Sequence, residues 1–143
     1  MTPDCSIELV EPSDALYTTI LTGLRDFNHK AFPAFPPGED LAIALREPKG
    51  APAGGLWGRT AGGWLAIELI FVPAALRGQG IATRLVGLAE TEARRRGCHS
   101  AWLDTLNGRA LTLYERLGYV RFGELKDYPR GGSRFFLEKR LGT

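Results

Sequence analysis

Apolar residues recur along this chain at two spacings, and the changes of spacing divide it into elements. Over residues 6–10, Ile7 and Leu9 alternate with polar neighbours, which predicts a short strand. Pro12, Ser13 and Asp14 form a helix-start cluster. Leu16, Ile20, Leu24 and Phe27 then recur at helical spacing through about Asn28, with Tyr17 and Leu21 widening the stripe. Residues 29–40 contain Pro33, Pro36, Pro37 and Gly38, a density that precludes a long helix and predicts a loop or a single turn. Phe32 and Phe35 in that loop either line a pocket or plug the edge of the core. Residues 41–46, 54–60 and 64–72 read as three strands. The first two are joined by a Pro- and Gly-containing turn and the last two by Ala61, Gly62 and Gly63, which predicts an antiparallel meander.

A helix follows over residues 80–96, with Ile81, Leu85 and Leu88 on one stripe, Ala82, Ala89 and Ala93 flanking it, and Gly97 as its stop. Residues 98–105 read as a strand, residues 107–117 as a helix ending at Gly118, and residues 119–125 and 133–139 as two further strands. This order predicts an α/β (α+β) chain. Its central mixed, mostly antiparallel sheet would have about seven strands, flanked by helices, in one domain over residues 1–143.

Composition adds limits. Hydrophobic residues make up 44% and charged residues 24%, ordinary for a globular protein. The formal net charge is +2 and the positive residues are dispersed apart from Arg94, Arg95 and Arg96, so no nucleic-acid partner is expected. That triplet sits at a predicted helix C-terminus, where cations suit the helix dipole. Two cysteines and two histidines give no metal spacing and no disulfide framework. No signal segment or membrane-length apolar run is visible, which makes the cytoplasm the expected compartment. A homodimer stays open.

The chemistry concentrates at Arg77-Gly78-Gln79-Gly80-Ile81-Ala82, between a strongly apolar strand and an amphipathic helix. The first amides of a helix lack intrahelical partners and point outward as donors, and the dipole adds positive character there. Glycines let a ligand approach the backbone closely, so a strand, a glycine turn and a helix start suit a diphosphate. The dinucleotide fingerprint fails because Thr83 stands where its third glycine belongs, and no Gly-Lys-Ser/Thr run follows.

The pattern Arg-x-x-Gly-x-Ala over residues 77–82 resembles the acetyl-CoA pyrophosphate turn of the GNAT superfamily of N-acetyltransferases. A second pattern is similar to another GNAT motif: Asn107, Ala110, Leu113, Tyr114, Gly118 and Tyr119, as Asn-x-x-Ala-x-x-Leu-Tyr-x-x-x-Gly-Tyr. On both motifs and the element order, the chain is identified as a member of that superfamily, akin to a subgroup of short bacterial proteins. Helix geometry fits, because Asn107 and Tyr114 lie two turns apart on one face with small Ala110 between them.

The resemblance implies acetyl-CoA as cofactor and attack of an amine on its thioester. It implies that the strands over residues 64–72 and 98–105 splay apart, with the cofactor arm against Ile70, Phe71 and Val72. An amide of Ile70 or Phe71 would be the oxyanion donor. The turn and helix start (Arg77, Gly78, Gln79, Gly80, Ile81, Ala82 and Thr83) would hold the diphosphate, with Arg84 a further cation or simply solvated. Asn107 and Ala110 would contact the pantetheine arm, and Tyr114 would act as general acid or else be a core aromatic.

For the base, Glu68 sits among apolar neighbours, where burial would raise its pKa; it would alternatively pair with Arg59 or reach solvent. Asp104 and bulk water are the other options. Asp26, Asn28, Phe35, Glu68 and Tyr128 are candidates for the acceptor site. The expected acceptor is a small-molecule primary amine. A protein or aminoacyl-tRNA acetyltransferase and a non-catalytic CoA-binding regulatory module are the alternatives.

Overall fold

Strands β1 (Glu39–Arg46), β2 (Pro52–Ala61), β3 (Trp64–Phe71), β4 (Ser100–Thr105), β5 (Val120–Lys126) and β6 (Ser133–Arg140) form one sheet in the computed structural model. The helices are α1 (Asp14–Ala31), α2 (Ile81–Arg95) and α3 (Gly108–Arg116). The structure describes residues 4–35, 37–106 and 108–142. They divide into two units, residues 1–35 and residues 36–143.

The first unit is α1 with its flanking chain. Ser13 caps α1, its hydroxyl accepting from the Leu16 amide at 3.2 Å. The helix runs past the expected end at Asn28 to Ala31, and the Phe32 amide closes it on the Asn28 carbonyl at 2.8 Å. Pro33 then forbids another turn. Residues 6–10 are not a strand. Two alternating apolar positions permit extended chain but name no ladder partner, and Ile7 and Leu9 are fully exposed.

The second unit carries the sheet, in the order β1-β2-β3-β4-β6-β5. Among the described residues it has six strands where the sequence suggests about seven. The first three strands are the expected antiparallel meander. A parallel pair cannot be closed by a tight turn, and the β3–β4 pair is bridged by α2. The β4–β6 and β5–β6 pairs are antiparallel.

The core lies between α2 and one face of the sheet. Leu85, Val86, Ala89 and Ala93 of α2 are buried with Leu65, Ile67, Ala101, Leu103 and Leu137. Leu88, expected on the buried stripe, is exposed, and Ala89 and Ala93 take that face. Alanines let the helix lie close to the strands, whereas leucine there would hold it away.

A bulge sets the course of β3. Trp57 pairs with Leu69 and Gly58 with Ile67, which leaves Glu68 without an opposite residue. The inward-facing set therefore changes phase, from Leu65 and Ile67 to Ile70 and Val72. Gly58 makes room for this register, since a Cβ there would stand 2.6 Å from the Ala66 carbonyl oxygen.

Candidate active site

β3 and β4 pair only from Trp64 opposite Ser100 to Ile67 opposite Leu103. Past that point β3 is held by β2 and β4 by β6, each to its own end. The strands part where the bulge bends β3 away. The β4-facing edge of residues 68–71 has no ladder partner among the described residues, which leaves backbone donors and acceptors as a template for an extended ligand.

A groove of about 670 Å³ runs from this edge to α3. Ile70, Phe71 and Val72 form one wall, and Ala110, Leu113 and Tyr114 the other. Gly78, Gly80, Ile81, Ala82 and Thr83 close one end, with Arg77, Arg109 and Arg116 also on the lining. That volume suits a sizeable organic ligand.

The turn into α2 explains its sequence. Pro73, at φ −55°, opens a 3-10 turn over Ala74–Leu76. Arg77 is then extended, and its Nε donates to the Val72 carbonyl at 2.9 Å, tying the turn to the end of β3. Gly78 and Gly80 have φ of 80° and 75°, the left-handed region, which costs other residues about 1–2 kcal/mol. A Cβ at either would meet only open space, so backbone geometry rather than crowding within the chain requires these glycines.

Gly80 is also the N-cap of α2 and offers no side-chain acceptor. The first helical hydrogen bond is from the Arg84 amide to the Gly80 carbonyl at 3.1 Å. The amides of Ile81, Ala82 and Thr83 therefore have no acceptor among the described residues. Three outward donors, the positive end of a 15-residue helix and cations on the rim fit an anionic diphosphate.

Tyr114 is 4% exposed, its ring set edge-on against Tyr119 with centroids 6.1 Å apart. No described residue hydrogen-bonds its hydroxyl, and no enclosed side-chain polar atom among the described residues lacks a partner. The hydroxyl is therefore the part of Tyr114 still open, on a ring that lines the groove. Desolvation pushes its pKa above the ordinary tyrosine value, so it stays protonated at neutral pH.

Of the cofactor residues expected from sequence, Ile70, Phe71, Val72, Arg77, Gly78, Gly80, Ile81, Ala82, Thr83, Ala110 and Tyr114 come together on this lining. Gln79 is exposed and does not line the groove. Asn107 lies outside the described residues. Arg84 is exposed. Leu113 also lines the groove, and Leu111 is the buried leucine of α3. Arg109 and Arg116 were missed; their spacing by two helical turns, on the helix that carries Ala110 and Tyr114, was the available signal.

Of the readings open for Glu68, exposure to solvent is the one observed. Glu68 is exposed and does not line the groove, so the burial argument for it as a base fails; the bulge turns it out of the regular alternation. Its suggested partner Arg59 is instead paired with Asp40 at 3.0 Å. Asp104 is bound to the Nε of Arg134 at 2.6 Å. Arg134 also donates to the Tyr128 hydroxyl at 3.3 Å and lies over the Tyr128 and Phe136 rings. Sequence reasoning gave no role to Arg134, because the Asp104–Arg134 contact depends on the β4–β6 register. Asp26 and Asn28 lie on α1 and Phe35 in the turn after it, all exposed and all in the first unit.

Comparison with known proteins bears on this arrangement. The model of the acetyltransferase (GNAT) family matches residues 13–119. The chain belongs to the GNAT acetyltransferase family. It is 50% identical over 102 residues to the acetyltransferase Atu2258 of Agrobacterium fabrum, covering 71% of this chain and 74% of that one. It is 37% identical over 94 residues to blasticidin-S acetyltransferase of Streptomyces morookaense, covering 65% and 69%. The crystal structure of an acetyltransferase from Agrobacterium tumefaciens superposes with a TM-score of 0.86 at 40% identity, covering 95% of this chain and 99% of the other. This GNAT protein is thus an acetyl-CoA-dependent acetyltransferase. Among the described residues no helix is long and apolar enough to cross a membrane.

Proposed function

We propose that this GNAT acetyltransferase acetylates a primary amine of a small molecule, the amine attacking the thioester of acetyl-CoA directly. One observation carries the reading: a strand edge without a partner, an uncapped helix start and an open tyrosine hydroxyl line the same groove. Bound acetyl-CoA supplies an activated acyl group and a thiol leaving group. The amides of Ile81, Ala82 and Thr83 hold the diphosphate, and the open edge of β3 holds the pantetheine arm. The amide of Ile70 or Phe71 donates to the thioester carbonyl oxygen. The Tyr114 hydroxyl gives its proton to the departing sulfur.

The base is Glu68 or water, since Asp104 is committed to Arg134. Glu68 is the first residue of β3 past its pairing with β4, and no described residue forms an ion pair with it. If it takes the proton, Glu68→Gln is expected to lower kcat/KM for the amine by about 10²-fold, with acetyl-CoA affinity unchanged. A wild-type rate assigns the step to water.

A small amine is favoured because one relative carries blasticidin S in its name. Release of free CoA thiol, followed over blasticidin S, polyamines, amino acids and short peptides, tests the reading. Turnover confined to small amines is the expected result. Turnover confined to peptides would replace it with protein N-terminal acetylation.

A further inference from the structure

Glu90 is a buried carboxylate that the chemistry above leaves unused. It sits on α2 at 5% exposure. Lys139 of β6 donates to both its oxygens, at 2.9 and 3.1 Å, and Arg94 lies 3.9 Å away. The Tyr119 hydroxyl donates to the same carboxylate at 2.9 Å. Burying an ion pair with a tyrosine hydroxyl is a costly way to fill space, because apolar side chains of similar volume do it at least as well. What such a cluster adds is direction.

That direction leads to the groove. Tyr119 is 2% exposed, and its amide donates to the Tyr114 carbonyl at 3.0 Å. Its ring meets the Tyr114 ring edge to face, with 67° between their planes. The Lys139 ammonium lies 5.6 Å from the centre of the Tyr119 ring. A phenylalanine at 119 could tilt in its pocket, whereas the hydroxyl bond to Glu90 fixes one end of the ring.

We propose that Glu90 and Tyr119 are positioning residues for acetyl transfer: Glu90 anchors the Tyr119 hydroxyl, and the Tyr119 ring sets the angle at which Tyr114 presents its own hydroxyl to the groove. The inference rests on the acid role of Tyr114. A small displacement of a reacting group can cost about 10²-fold in rate, so the anchor has leverage.

The test uses the full chain and hydroxylamine as acceptor. Hydroxylamine is small and largely uncharged at neutral pH, so no base is needed to make it nucleophilic and no shaped acceptor pocket to hold it; its uncatalysed reaction with acetyl-CoA is measured without protein and subtracted. CoA release then reports the cofactor side of the reaction. Tyr119→Phe keeps the ring and the Glu90–Lys139 pair. It is expected to lower kcat by about ten- to a hundredfold with the acetyl-CoA KM unchanged. In a Tyr114→Phe background the same change is expected to have no further effect. Glu90→Gln should act in the same direction; because it strands Lys139 it can also unfold the chain, and the Tyr119→Phe comparison decides alone. A wild-type rate for Tyr119→Phe beside an impaired Tyr114→Phe would overturn the inference. So would losses that multiply in the double variant, which would mark Tyr119 as merely structural. A wild-type rate for Tyr114→Phe removes the acid role itself, and this inference with it.

Discussion

Tyr114→Phe is expected to lower turnover by about 10²–10⁴-fold and to leave acetyl-CoA binding nearly unchanged. The substitution removes one oxygen from a ring that is otherwise buried, and a phenylalanine can keep the edge-on packing against Tyr119. The lost hydroxyl has no partner among the described residues, so no donor or acceptor of the chain is left stranded. What disappears is a proton source on the wall of the groove. Desolvation holds the Tyr114 pKa above its ordinary value of 10.0. A raised pKa means the protonated form persists as pH rises, so any alkaline loss of kcat caused by Tyr114 must lie above pH 10. A pH profile of kcat for both proteins, with acetyl-CoA affinity measured separately, checks the claim. Turnover within twofold of wild type would end the acid role.

Legibility in the sequence followed the range of the interactions. The turn at 77–82 could be read because its constraint is local: two left-handed positions call for glycine, and the helix after them starts without a side-chain cap. The meander could be read because Gly62 and Gly63 both take positive φ between two apolar strands. The exposure of Glu68 could not be decided from sequence because the run from Trp64 to Val72 is apolar almost throughout, and such a run hides a change of phase. The bulge exists only in the pairing of β2 with β3, between the Trp57–Leu69 and Gly58–Ile67 pairs, which no spacing within one strand reveals. The ion pair of Asp104 was hidden for a similar reason. Its partner Arg134 is distant in sequence and is delivered by the β4–β6 ladder.

The α2 helix shows how the same residue types can mislead about which face is buried. Leu88 is the larger hydrophobe and reads as core, yet Ala89 and Ala93 are fully buried while Leu88 is largely exposed. Close approach of α2 to the sheet is what brings its N-terminus to the end of β3, and small residues permit it. Fold and site are thus joined: the packing that buries the alanines also aims three free amides at the groove.

Those amides support the second large expectation. Ala82→Asp should abolish acetyl-CoA binding, weakening it by at least about 10²-fold, without harming the fold. Ala82 lies in the first turn of α2, where a carboxylate interacts favourably with the dipole by about 0.3–1 kcal/mol. The melting temperature without ligand should therefore hold or rise slightly. Ala82 also lines the groove beside the amides of Ile81 and Thr83. A carboxylate there competes for those donors and meets the diphosphate as a like charge, a juxtaposition that costs several kcal/mol. A ligand that binds only the folded chain raises its melting temperature as concentration grows. Thermal melts over a series of acetyl-CoA concentrations should rise for the wild-type chain and stay flat for Ala82→Asp. Ala82→Asn, similar in size and uncharged, should keep most of the response. If Ala82→Asp showed the wild-type rise, the diphosphate would be held somewhere other than the start of α2, and the assignment of this groove to acetyl-CoA would fall.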